Sequence, residues 1–158
     1  MKQITVGLAE GKIAEENQFL ISYALGSCVG VCLYDKERKI AGMAHIILPG
    51  KMESRDQTNP YKFADEGVKA LIRDMKRHGA KESQLIAKIA GGAKMFSVPG
   101  WEWEIGERNI KAVKKALSER AIRIAAEDTG KNYGRTISFF ADDGRLEVKS
   151  IKQQLRIL

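Results

Sequence analysis

The chain has 158 residues, 44% of them hydrophobic and 30% charged, with a formal net charge of +7 at pH 7. That length suits one domain, expected over residues 1–158, with enough chain to bury a real core. Two cysteines are too few for a disulfide scaffold, and no apolar run approaches the ~20 residues of a membrane helix.

The opening "MKQITVGLAEGK" lacks the apolar stretch of a secretory leader. The expected setting is therefore the cytoplasm, where thiols stay reduced, without membrane insertion. The positive balance invites a nucleic-acid reading. However, Lys and Arg are scattered among acids, as in "DKERK" (35–39) and "IRDMKRHGAKES" (72–83). No Arg-rich arm, zinc spacing or RNA-binding aromatic signature accompanies them, so a solvated surface accounts for the charge and nucleic acid is not expected as a partner. An acidic protein partner would suit it as well.

In chain order, "FLISYAL" (19–25), "CVGVCLYD" (28–35) and "KIAGMAHIIL" (39–48) read as strands, broken by Gly26-Ser27 and by a charged turn. Pro49 ends the third strand, and the polar stretch 50–59 reads as a loop long enough to be a mobile lid or partner contact. Thr58 or Asn59 can cap a helix with Pro60 in its first turn. Ala64, Val68, Leu71, Ile72 and Met75 then share one helical face. His78 and Gly79 suit that helix's end. "QLIAKIA" (84–90) is a short buried strand stopped by Gly91-Gly92.

Residues 97–106 form a turn-rich segment in which Trp101 and Trp103 are expected to anchor a loop. A second amphipathic helix uses Ile110, Val113 and Leu117, and "AIRIAAED" (121–128) follows it. Residues 135–151 read as a hairpin turning at Asp142-Asp143-Gly144. Strands outnumber helices, which predicts an α/β or α+β domain. Its architecture is a layered sandwich of mostly antiparallel or mixed β-sheets with helices packed outside.

The second and third strands hold the chemistry. If they form a hairpin closed at Lys36-Glu37, opposed residues have numbers adding to 73. Tyr34 then faces Lys39, Cys32 faces Ala41, Gly30 faces Met43 and Cys28 faces His45. Directly opposed Cβ atoms lie only ~4.5–5.5 Å apart, close enough for thiol and imidazole to meet. A slip of one residue would separate them onto opposite faces.

A thiol beside an imidazolium is held as the reactive thiolate. Gly26 and Ser27 bring Cys28 in at a sharp strand entry, where unconsumed backbone N–H groups could stabilise an oxyanion. Gly30 would leave room for substrate, and Ser22 offers a hydroxyl that could hold the second imidazole nitrogen. Gly91-Gly92 lacks the ending of a phosphate loop and reads as a tight turn that lets backbone approach the site, with Gly91 and Gly92 as candidates for positioning substrate.

Cys32 reads as an inert small hydrophobe. A Cys28–Cys32 disulfide is not expected, because four residues of strand span ~13 Å. No metal site is expected, for want of ligands beyond Cys28, Cys32 and His45.

These blocks resemble a known family. "ALGSCVGVCLYD" followed by "GMAHIILP" looks like the signature of the CheD chemoreceptor glutamine deamidases of chemotaxis. "KFADEGVKALIRDM", "GAKESQLIAKIAGGAKMF", "IGERNIKAVKKAL", "IRIAAEDTGKNYGRTISF" and "DGRLEVK" continue the likeness in the same order over nearly the whole chain. The resemblance implies a fold akin to the cytotoxic necrotizing factor toxins, with Cys28 as nucleophile, His45 as base and Ser22 at a position where the family usually has threonine. It implies deamidation of chemoreceptor glutamines through a Cys thioester, with no cofactor. It also implies binding to a CheC-type phosphatase, so a mainly non-catalytic adaptor is the alternative. The unbound protein is expected to be a monomer.

Overall fold

The computed structural model describes residues 1–94, 104–151 and 153–158. Among the described residues, ten strands form two five-stranded sheets. The first sheet runs β1 (Lys2–Thr5), β3 (Gln18–Leu25), β8 (Arg135–Phe140), β9 (Leu146–Lys149) and β10 (Arg156–Ile157). The second runs β2 (Gly11–Ala14), β5 (Ile40–Ile46), β4 (Val29–Asp35), β6 (Leu85–Gly91) and β7 (Ile124–Thr129). Each sheet holds one parallel pair, β1–β3 and β6–β7, among antiparallel ones. The mixed-sheet expectation is met.

Helices α1 (Ala64–Arg77) and α2 (Glu104–Glu119) both cover the outer face of the second sheet. The parallel β6–β7 pair requires a crossover, and α2 supplies it. The result is three layers, helix on sheet on sheet. Strands β4 and β5 are buried along their whole lengths because they lie mid-sheet between the two other layers. Their alternate residues part cleanly. Val29, Val31 and Leu33 meet the helices, whereas Cys32 and Tyr34 meet Leu20, Ile137 and Phe139 of the first sheet. Among the described residues no helix is long and apolar enough to cross a membrane.

Helix α1 buries Ala64, Val68, Leu71, Ile72 and Met75, the face given by its periodicity. Its start lies later than the capping residues imply. The Asn59 side chain accepts a hydrogen bond from the Tyr61 N–H and opens a 3-10 turn, Pro60–Lys62, before α1 begins. His78 caps the far end and Gly79 follows at φ +101°. The 50–59 segment is braced rather than loose. It carries a 3-10 turn at Lys51–Glu53, the Gln57 amide donates to the Lys51 carbonyl at 2.9 Å, and Arg108 of α2 pairs with Glu53. Trp101 and Trp103 lie outside the described residues.

The hairpin register needs correction. Asp35 pairs with Ile40, so the loop has four residues, Lys36 to Arg38 and a left-handed Lys39 at φ +53°. Asp35 stabilises this longer loop from a fully buried position, accepting from the backbone N–H of Arg38 (3.2 Å) and of Lys81 (2.9 Å). The paired numbers add to 75, and His45 lies opposite Gly30 instead of Cys28. A slip of two residues preserves the face. Cys28 and His45 therefore still share the layer between the sheets, as diagonal neighbours.

Candidate active site

Strand β3 ends at Leu25, the chain turns through Gly26 and Ser27, and Cys28 stands immediately before β4. The turn is held from the far side by the end of β6. The Gly92 N–H donates to the Cys28 carbonyl and the Ala93 N–H to the Gly26 carbonyl, both at 2.8 Å. Gly91 (φ +110°) and Gly92 (φ +69°) occupy left-handed backbone, and a Cβ on Gly91 would collide with the Cys28 carbonyl oxygen. Only glycine permits this approach. Gly92 contributes by holding the turn, since its N–H is already engaged. The N–H groups of Gly26 and Ser27 donate to no described residue.

Gly30 does not open a path for substrate. A Cβ there would strike Ile137 of the facing sheet, so this glycine lets the two sheets close.

His45 is 3% exposed and projects from β5 into the layer between the sheets. Its Nδ1 lies 2.8 Å from the Oγ of Ser22, which is fully buried on β3 of the other sheet. A β-bulge between Ser22 and Leu25, with Ala24 at φ +54°, keeps both of those residues facing inward. The Ser22 hydroxyl also lies 2.8 Å from the Val6 carbonyl oxygen.

Hydrogen counting then fixes the tautomer. A carbonyl can only accept, and a hydroxyl has one hydrogen. Ser22 gives that hydrogen to Val6 and accepts from His45, whose Nδ1 must carry a proton. The reverse would leave two oxygens 2.8 Å apart with no hydrogen between them. In the neutral ring Nε2 keeps its lone pair, and this nitrogen is buried without a hydrogen-bond partner among the described residues. A buried, unpaired, basic nitrogen is costly, and such atoms mark sites where a proton is to be received.

Burial pushes the half-buried Cys28 thiol up, with a small opposing effect of its own backbone N–H. Burial likewise lowers the imidazole of His45, against a favourable contact between the ring and the Val6 carbonyl. Both directions favour a neutral thiol beside a neutral imidazole. These directions, set by burial, run against the expectation of a standing thiolate–imidazolium pair.

Cys32 is fully buried and its thiol is pushed far up by desolvation, as an inert core cysteine should be. No group of three or more His, Cys, Asp or Glu among the described residues could hold a metal ion.

Two participants escaped the sequence reading. The Val6 acceptor is a backbone carbonyl, so no side-chain identity announces it. The segment after β1 is nevertheless wrapped on His45, whose N–H donates to the Glu10 carbonyl and whose carbonyl accepts from Ala9. Asn109 of α2, fully buried, donates to the carbonyls of Ser27 (3.0 Å) and Ile47 (2.8 Å). Its signal was present, because Asn109 falls on the same helical stripe as Val113 and Leu117, where an apolar residue belongs.

The family model described as CheD chemotactic sensory transduction matches residues 47–150. Full-length relatives extend the similarity through the Cys28–His45 segment. A protein of Caldanaerobacter subterraneus subsp. tengcongensis named "Probable chemoreceptor glutamine deamidase CheD" is 48% identical, over 95% of this chain and 94% of its own. A protein of the same name from Syntrophomonas wolfei subsp. wolfei is 47% identical over 99% of both chains. A crystal structure of the Bacillus licheniformis hypothetical protein YfiH superposes at a TM-score of 0.41 and 17% identity, over 75% of this chain and 51% of that one, too distant to inform the site. By its sequence from end to end, the chain belongs to the CheD family.

Proposed function

We propose that this protein deamidates glutamine side chains of chemoreceptors in the cytoplasm. The names of its relatives support the substrate, and one observation carries the chemistry: the partnerless Nε2 of His45, its tautomer set by Ser22 and Val6, in the same layer as Cys28.

The Cys28 sulfur attacks the carbon of the side-chain amide while Nε2 takes the thiol proton. The oxygen that gains charge is met by the open N–H groups of Gly26 and Ser27. The imidazolium returns its proton to the amide nitrogen, the C–N bond breaks, and ammonia leaves a thioester. A water then gives a proton to Nε2 and its oxygen to the thioester carbon. The C–S bond breaks, Cys28 regains a proton from His45, and glutamate remains. Each proton passes through Nε2, and no cofactor enters.

Binding to a CheC-type phosphatase and a monomeric unbound state belong to the same proposal and rest on the family resemblance. The deciding experiment incubates the protein with receptor cytoplasmic domains and scores Gln-to-Glu conversion by mass spectrometry. Conversion lost in Cys28→Ala and His45→Ala is the expected result. Conversion that persists without Cys28 removes the nucleophile, and receptor binding without conversion favours a non-catalytic adaptor.

A further inference from the structure

Among the described residues, two buried side-chain atoms lack a hydrogen-bond partner: Nε2 of His45 and Oδ1 of Asn109. The first has a chemical use. The second does not, and its surroundings suggest why an asparagine is there. The Asn109 amide has two N–H bonds. One meets the carbonyl of Ser27, the residue before Cys28, and the other the carbonyl of Ile47, two residues beyond His45. Carbonyls only accept, so the orientation of the amide is fixed by its partners. Oδ1 is then turned away from both and left in the interior.

The energetics make a purely stabilising role a poor explanation. The gain from two neutral hydrogen bonds is of the same order as the cost of one buried unsatisfied oxygen. The sum lies near zero, and the same stripe positions Val113 and Leu117 are filled by apolar side chains without exposure. What the amide does supply is geometry. It is a single rigid plane joining the turn of Cys28 to the chain just after the strand of His45. Those two segments are also diagonal rather than directly opposed in the β4–β5 register, so strand pairing alone does not bring thiol to imidazole.

We infer that Asn109 is a positioning residue, which holds the Ser27–Cys28 turn at the distance from His45 that proton transfer needs. The inference rests on the reading of Cys28 and His45 as nucleophile and base. Displacing reacting groups by an ångström costs up to roughly a hundredfold in rate, which sets the scale of the effect.

The test compares Asn109→Leu with the native protein. The replacement removes the orphan oxygen but leaves the Ser27 and Ile47 carbonyls without their donor, so a modest loss of thermal stability is expected. Deamidation kcat is expected to fall roughly tenfold to a hundredfold with KM unchanged. Alkylation of Cys28 by iodoacetamide gives an independent readout, since Cys32 is fully buried. In the native protein its rate against pH should carry an inflection from His45, and in Asn109→Leu that inflection should vanish.

Should Asn109→Leu fail to fold, Asn109→Ser, which keeps one donor, is expected to give an intermediate kcat and a weakened inflection. Native kcat and an unaltered alkylation profile in a folded variant overturn the inference. So does a loss of activity that merely tracks the unfolded fraction. Conversion by Cys28→Ala would instead refute the underlying site, and the alkylation profiles would still decide whether Asn109 couples Cys28 to His45.

Discussion

The two interfaces of this three-layer molecule are built from the same central strands and differ in kind. Between the helices and the second sheet lie Leu71, Ile72, Met75, Val113, Leu117, Ile46 and Ile89, a mainly apolar layer that Asn109 of α2 interrupts. Between the sheets, Leu20, Met43, Ile137 and Phe139 share their space with Ser22, His45 and Cys28. Alternation along β4 and β5 sends one set of side chains to each side. One hairpin therefore contributes to both apolar cores, and the candidate site lies on its face toward the first sheet. The proposed triad is split: Ser22 comes from one sheet, Cys28 and His45 from the other, so the candidate site forms only when the sheets are packed together.

That division can be broken most severely from the reactive side. Cys28→Ala removes a half-buried sulfur and is expected to leave the melting temperature nearly unchanged while conversion falls on the order of 10³-fold or more. The mirror experiment is Leu71→Ala in the helix layer. Unfolding in urea should show a loss of about 2–5 kcal/mol, with turnover per folded molecule preserved. A large kcat defect in Leu71→Ala would mean that the layers are not separable.

Gly91→Ala tests the contact between the end of β6 and the nucleophile turn. Its φ of +110° and the collision with the Cys28 carbonyl should cost ~1–3 kcal/mol and lower conversion in the same variant. Smaller still is Ser22→Ala, where His45 keeps the Val6 carbonyl but loses a hydroxyl contributing about 1 kcal/mol, roughly fivefold in rate. Ser22→Thr retains the hydroxyl and should restore native turnover.

The pH dependence sharpens the picture further. A buried imidazole with a lowered pKa stays a free base through neutrality, so conversion should hold steady as pH falls past the ordinary histidine value of ~6.5 and decline only below it. The linkage has the same sign. The folded state binds fewer protons at His45 than the unfolded chain does. Its contribution to stability is complete above ~6.5 and is lost as pH falls through the lowered value. An acid limb at or above the ordinary value, read from kcat against pH, contradicts a buried neutral base.

Much of this was legible in the chain. The apolar stripe of α1 appears residue by residue in the buried face, and the alternation of "CVGVCLYD" and "GMAHIIL" put Cys28 and His45 on one face. Register was not legible, because it depended on how Asp35 would be used. A buried carboxylate that accepts from Arg38 and Lys81 favours a four-residue loop, and Lys81 is remote in sequence. Burial, which only the tertiary structure shows, weighs against the charged pair that thiol–imidazole proximity suggests. Val6 and Gly30 teach the same lesson from opposite sides. One acts through a carbonyl that every residue has, and the other is a glycine for the sake of Ile137 on another sheet.

The protonation state of His45 bears most directly on all of this. Nitrogen-15 NMR of the uniformly labelled protein at neutral pH, with His78→Gln to assign the two histidines, reads each imidazole nitrogen separately. A neutral ring protonated at Nδ1 and bare at Nε2 is the predicted result. A ring carrying its proton on Nε2, or charged on both nitrogens at neutral pH, would contradict the base on which the mechanism is built.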